Sequence, residues 1–314
     1  MQGKLNKYNK GPIVIIIGFF FMHQFCFAQT PTKLFEIPDS VSKVRIWSVG
    51  SISSLGTGVT LGVLSKEWYS DYETVPFHFF NDNDEWLQMD KLGHGLASFY
   101  GGYYGYNILR WSGVKEKKSI FYGGMYGFSF LLATEIMDGF SPAWGASGGD
   151  VLSNGVGTGL FMVQQLCFHK QVITPKFSYW PSKYADYRPS LLGNSHWNRW
   201  LKDYNGQVYW LSFSLSDMNV NPKFFPKWLS LAIGYSGDGM VGGASNPFFN
   251  EEGEALPTFN RQREMYVSID LNFQNIKTKS HFFNAFLKGI SFVKFPAPAF
   301  RFRKEGVKFI PIQY

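Results

Sequence analysis

The period of the apolar pattern changes once along this chain, near Pro175, and that change limits the folds open to it. Before it, apolar residues run in long stretches broken by Gly, Ala and Ser. After it, they recur at every second position. The first pattern suits helices packed closely on one another, the second half-buried strands. Four segments read as helices: Val44 to Leu64, Trp86 to Trp111, Ile120 to Met137 and Asp150 to Phe168. Small residues spaced by four at Gly101/Gly105, Gly123/Gly127 and Gly155/Gly159 let helix backbones approach one another. Beyond "WPSKYADYRPS", a Pro-rich connector, "QVYWLSFSLS" sets Tyr209, Leu211, Phe213 and Leu215 against Ser212, Ser214 and Ser216. "YVSIDLNF" does the same with Val267, Ile269, Leu271 and Phe273, and "GISFVKF" and "GVKFIPIQY" continue the theme.

The expected class is α+β: a membrane-associated helical bundle of about four helices over residues 40–174, then a β-rich region over 175–314. The strands form either a sheet packed on the helices or part of a small barrel with one face to lipid. Composition points to the membrane. Aromatic residues make up 19% of the chain and charged residues 17%, against roughly 25% charged in an ordinary soluble domain. A mean hydropathy of −0.13 excludes a chain made mostly of spanning helices. The net charge of +7 is spread thinly, with "KEKK" at Lys115 to Lys118 as the one small cluster. That distribution suits an anionic membrane surface and argues against nucleic acid as a partner.

The N-terminus reads as a secretory leader over residues 1–28. Lys4, Lys7 and Lys10 precede the apolar run Ile13 to Met22, and Cys26 and Ala28 stand as small residues before Gln29. His23, Gln24 and Phe25 before Cys26 do not make a lipidation signal. Cys167 lies in an apolar segment and is expected in the core. With no disulfide framework, export rests on the leader. The loop from Lys66 to Glu85 is acidic and that from Arg110 to Lys118 is basic. The positive-inside rule places the basic loop in the cytoplasm, whereas an exported N-terminus followed by one span would place the acidic loop there. The two agree only if the first segment does not span or the bundle lies outside the inner membrane. The expected location is the periplasm or outer envelope of a Gram-negative bacterium, with membrane lipid or an envelope component as partner.

Three polar pairs interrupt the apolar helices. Asp90 and His94 in "DKLGH" are spaced i, i+4, Glu135 and Asp138 in "EIMD" i, i+3, and Asp150 and Asn154 in "DVLSN" i, i+4. Each spacing puts both side chains on one helix face. Asp90 can also be read as an N-cap, and Ser147 with Asp150 as a capping box. Glu135 and Asp138 resist that reading, because carboxylates at a helix C-terminus meet the negative end of its dipole. If the faces converge, Asp90, His94, Glu135, Asp138, Asp150 and Asn154 form one oxygen-rich set with a single imidazole, suited to a divalent ion such as Mg, Mn or Zn. Alternatively, Asp90 orients His94 as a general base and Glu135 acts as acid. There is no His-Glu-x-x-His, Cys-x-x-Cys or P-loop. "GASGG" matches Gly-x-Ser-x-Gly, but the preceding "GFSPAW" is no strand, so Ser147 is not read as a nucleophile.

"DKLGH" followed by "DGFSPAWGASGGDVLSNGVG" resembles the YfiM-type family of predicted periplasmic lipoproteins, and its Asp-Lys-x-x-His, later Glu and Asp-x-x-x-Asn resemble the VanZ-like membrane family linked to teicoplanin resistance. The likeness covers roughly residues 86–160 and implies Asp90, His94, Glu135, Asp150 and Asn154 as the shared positions. It brings no established activity, and the β-rich region lies outside it. Two functions remain open: a hydrolase or transferase acting on a lipid or glycolipid, or a non-catalytic envelope protein whose polar cluster fixes helix packing.

Overall fold

The computed structural model describes residues 34–66, 73–218 and 225–314. The expected leader and Cys26 lie outside them. Helix α1 spans Lys43–Leu64, α2 Met89–Trp111, α3 Glu116–Asp138 with a π-helical turn at Ser119–Gly123, and α4 Gly148–Phe168. Three of these pack on one another. The Gly101/Gly105 pair of α2 meets Gly123/Gly127 of α3: a Cβ at Gly127 would run into the Ser98 carbonyl and the Gly101 Cα. The third expected pair does not act this way. Gly159 faces open space and Gly155 has only the Phe128 ring at 4.0 Å; it is Gly157 that presses on the Gly95 backbone of α2. Helix α1 lies alongside rather than in the bundle. None of its residues is buried, and it is held by Ser42 N–H donating to Ser112 O (3.0 Å) and a Thr57–Tyr126 hydroxyl pair (2.8 Å). The expected bundle of about four helices is thus three packed helices with a fourth beside them.

Six antiparallel strands follow as a meander in chain order: β1 Ile173–Tyr179, β2 Gln207–Ser214, β3 Leu229–Asp238, β4 Gln262–Leu271, β5 Ala297–Arg303 and β6 Gly306–Gln313. The alternation in "QVYWLSFSLS", "YVSIDLNF" and "GVKFIPIQY" marks β2, β4 and β6. "GISFVKF" is not a strand. It leaves a short helix α5, His281–Gly289, and touches β1 only through a parallel bridge from Val293 to Phe177. Ser280 caps α5 by accepting from Phe283 N–H at 3.3 Å, and Phe282, Phe283 and Phe286 follow helical rather than strand spacing.

Which face of the sheet is covered reverses the usual expectation. Along β4, Glu264, Tyr266, Ser268 and Asp270 are buried, while Met265, Val267 and Ile269 are exposed. On β2, Trp210, Ser212 and Ser214 turn inward and Leu211 outward. The interior is a mixed core of Val208, Trp210, Ala232, Tyr266 and Ala299, with charges among them. Lys176 Nζ lies 2.7 Å from Asp270 Oδ2, Ser212 Oγ donates to the same oxygen at 2.7 Å, and Lys294 Nζ lies 3.9 Å from Oδ1.

Tyrosines join the helices to the sheet and to α5. Tyr100 OH donates to Pro175 O (2.9 Å), Tyr104 OH to Gly289 O (2.6 Å) and Tyr235 OH to Leu87 O (2.6 Å). Beneath them Phe99, Tyr100, Tyr103 and Phe161 form the helical core. Cys167 is not part of it. In the last turn of α4 Gln165 is buried, its Nε2 donating to Tyr106 OH of α2, while Leu166, Cys167 and Phe168 are exposed.

Candidate functional site

The polar residues meet because the small-residue contacts set the helix registers. Helices α2 and α3 run antiparallel and touch at Gly101 and Gly127, so His94 and Glu135, each about two turns away, arrive at the same level. Helices α2 and α4 run parallel with a constant offset. His94 meets Asn154 and Ser98 meets Thr158, each sixty residues apart, which places Asp90 level with Asp150.

The loop between α3 and α4 closes one side. Its backbone groups pair with an extended segment ahead of α2: Val75 N–H donates to Phe140 O, His78 N–H to Gly139 O, Ala146 N–H to His78 O and Phe80 N–H to Ala146 O. That pairing answers where the loop's hydrogen bonds go, and it carries Asp82 to the site. Ser147 caps α4, its Oγ accepting from Asp150 N–H at 3.1 Å. The reciprocal half of the expected capping box is missing. Ser147 N–H donates instead to Glu135 Oε2 at 3.1 Å, which leaves the Asp150 carboxylate free to turn inward. Asp90 is not an N-cap. It is the second residue of α2, behind Trp86, Leu87 and Gln88, which all have left-handed φ of 48°, 51° and 65°. That conformation costs roughly 1–2 kcal/mol per residue. Tyr235 on Leu87 O and Arg263 on Gln88 Oε1 (2.7 Å) hold it.

At the centre, His94 Nδ1 lies 3.2 Å from Asn154 Oδ1 and 3.8 Å from Glu135 Oε1. His94 Nε2 lies 3.9 Å from Asp90 Oδ2 and 3.8 Å from Asp150 Oδ1. Ligand atoms of Asp90, His94 and Asp150 all fall within 4.8 Å of one another. Lys91 closes one flank, its Nζ 2.7 Å from Asp82 Oδ1, 2.8 Å from Asp150 Oδ1 and 3.6 Å from Asp90 Oδ2. Tyr204 OH donates to Asp90 Oδ1 at 2.7 Å, and Ser147 Oγ to Asp82 Oδ1 at 2.6 Å. Glu135, Asp150 and Asn154 are buried; Asp90 and His94 are partly open.

Four carboxylates, Asp82, Asp90, Glu135 and Asp150, thus face one ammonium and one imidazole. Burial alone would raise the Asp82 pKa, but its bonds to Lys91 and Ser147 outweigh that and lower it. Glu85, at the edge of the cluster, goes the other way, raised by burial and by the charge of Asp82. Asn154 Nδ2 is buried and has no hydrogen-bond partner among the described residues. Beside Lys91 a depression is lined by Phe79, Phe80, Asn81, Asn83, Gly148 and Gly149. A Cβ at Gly149 would meet the Asn83 amide and the Lys91 stem, which would have to shift.

Of the residues expected from sequence, Asp90, His94, Glu135, Asp150 and Asn154 converge. Asp138 sits at the C-terminal turn of α3, where its charge acts on Glu135. Two members were not foreseen. Asp82 belongs to the acidic run "NDND" ahead of the Asp-Lys-x-x-His, a weak signal. Tyr204, beyond β1, left none.

Residues 78–165 match a family described as "Predicted periplasmic lipoprotein (DUF2279)". The stretch contains all the converging helix residues and Asp82, and it ends before the sheet. The match supports an exported, periplasmic, membrane-associated location. No curated protein and no solved structure matches the chain.

Proposed function

We propose that this is an exported envelope protein whose helices hold a divalent metal ion between Asp90, His94 and Asp150, with Glu135 beside it, and which acts as a hydrolase or transferase on a lipid or glycolipid. One observation carries the reading. With Asn154 Oδ1 as acceptor, the His94 hydrogen sits on Nδ1 and the Nε2 lone pair faces two carboxylate oxygens at 3.8 and 3.9 Å. Those separations are too long for hydrogen bonds and slightly wider than the ~3.4 Å between ligands of a tetrahedral ion bound at ~2.1 Å. Fixing the imidazole tautomer through its other nitrogen is how metal-bound histidines are oriented. In this arrangement Glu135 serves as a proton carrier beside the ion, with Asp138 one turn further along α3. The aromatic depression beside Lys91 gives an amphiphilic substrate an approach. The likeness to the YfiM-type and VanZ-like families stands as a sequence resemblance over the same five positions.

A second reading has its own support. The Lys91 ion pairs at 2.7 and 2.8 Å already neutralise part of the cluster, as in a polar network that fixes helix register without catalysis. Metal content of the protein purified without chelator separates the two. About one equivalent of a divalent ion is expected, lost in His94→Ala and in Asp150→Asn with the helical signal unchanged. Absence of metal from the unaltered protein, with both variants melting earlier, would establish the packing role instead.

A further inference from the structure

The sheet is inside out for a protein surrounded by water, and this observation stands apart from the metal reading. Leu211, Ile233, Val267, Phe300 and Phe309 are register partners in one row across β2 to β6. All five point outward, and they are 43%, 42%, 36%, 50% and 53% exposed. The parallel rows on either side, from Phe213 to Ile269 and from Tyr209 to Val307, carry no charged residue. Five strands at about 4.8 Å spacing make this wall roughly 19 Å wide. Behind it, fully buried, sit Lys176, Asp270 and Lys294. Polar within and apolar without is the polarity of a strand wall that meets hydrocarbon.

The occupant of the wall follows from where else the apolar surface extends. A protein partner covers one side of a molecule. Here the helices carry exposed apolar surface of their own. Leu152, Val156 and Val163 project from α4 unburied, α1 has no buried residue at all, and α1 and α3 are each long and apolar enough to cross a membrane. Apolar surface spread over the sheet, α1, α3 and α4 is more than one partner face covers, and a surrounding apolar solvent covers all of it. The edge strands converge as well. Trp180 after β1 stacks on Tyr314 after β6, centroids 4.5 Å apart, and the Val293 bridge occupies the free side of β1. We infer that the outer face of β2–β6 is a wall in contact with lipid acyl chains, so that sheet and helices sit in the membrane as one body with its charges held inside.

The test places single nitroxide labels by Ile233→Cys, Ile269→Cys and Phe309→Cys in a Cys26→Ser/Cys167→Ser background of the full chain. The protein is reconstituted in phosphatidylethanolamine–phosphatidylglycerol vesicles, with Glu252→Cys in an exposed loop as reference. Collision with dissolved oxygen and with a water-soluble nickel chelate is read by power saturation. The three wall positions are expected to meet oxygen several-fold more than the chelate, and Glu252→Cys the reverse. Chelate access at the wall equal to that at Glu252→Cys would put the face in water. Exclusion of both reagents, with spin–spin broadening between chains or without it, would put a second copy or another protein there. Either result overturns the proposal.

Discussion

Asp270→Ala is expected to destabilise the protein by about 3–5 kcal/mol, the range for removing one partner of a buried ion pair. Asp270 is the only anion among the described residues within ion-pair distance of Lys176 and Lys294, and all three are sealed inside the sheet. Once it is gone, Lys176 keeps the Leu271 carbonyl at 2.6 Å and the Phe273 ring, and Lys294 the Phe295 carbonyl at 2.8 Å and the Trp210 ring. Those are dipoles and quadrupoles, and they do not neutralise two buried ammonium groups. The Ser212 hydroxyl also loses its acceptor. Denaturant unfolding in detergent micelles, followed by tryptophan emission, checks the size. A triple replacement, Asp270→Leu with Lys176→Met and Lys294→Met, is expected to recover most of the loss, since apolar groups of similar volume can stand in for a buried ion pair and its desolvation penalty disappears. A loss under about 1 kcal/mol in the single variant would mean that water reaches the interior and screens the pair.

Gly127→Val is expected to have the second large effect and to couple the fold to the site. At this crossing, backbone meets backbone: a Cβ at Gly127 overlaps the Ser98 carbonyl and the Gly101 Cα, and neither can rotate away as a side chain could. The two helices must separate. Overpacking of a close-packed contact costs typically 1–3 kcal/mol, and the upper part of that range is expected where only backbone can yield. Separation at Gly127 also lifts Glu135 away from His94 and from the Ser147 N–H that it accepts at 3.1 Å. Gly127→Val should therefore lower the melting temperature by several degrees and weaken divalent-ion binding at the same time. Gly159→Val, on the open side of α4, should do neither. Equal effects in the two variants would mean that the close backbone contact at Gly127 is not what the substitution disturbs, since by helix propensity alone valine is slightly better than glycine.

The sequence carried the local half of this architecture. The i, i+4 spacing of Asp90/His94 and Asp150/Asn154 puts each pair on one helix face whatever the surroundings, because the helix repeat decides it. Gly101, Gly105, Gly123 and Gly127 identify surfaces able to approach closely, and alternation in β2, β4 and β6 identifies strands with two unlike faces. Three things were out of reach. The sixty-residue register that brings Asp90 beside Asp150 depends on Gly95 meeting Gly157, a contact between positions far apart in the chain. Asp82 and Tyr204 reach the cluster through a paired loop and a turn beyond β1, whose paths only long-range contacts fix. The third is which face of the sheet turns inward. An alternating pattern is symmetric with respect to that choice: it states that a strand has an apolar side and a polar side, and nothing in it names the solvent. Only the packing of the sheet's inner face around Lys176, Asp270 and Lys294 decides that the serines face in and the leucines face out, because charges this deep are tolerated where they can be paired with one another.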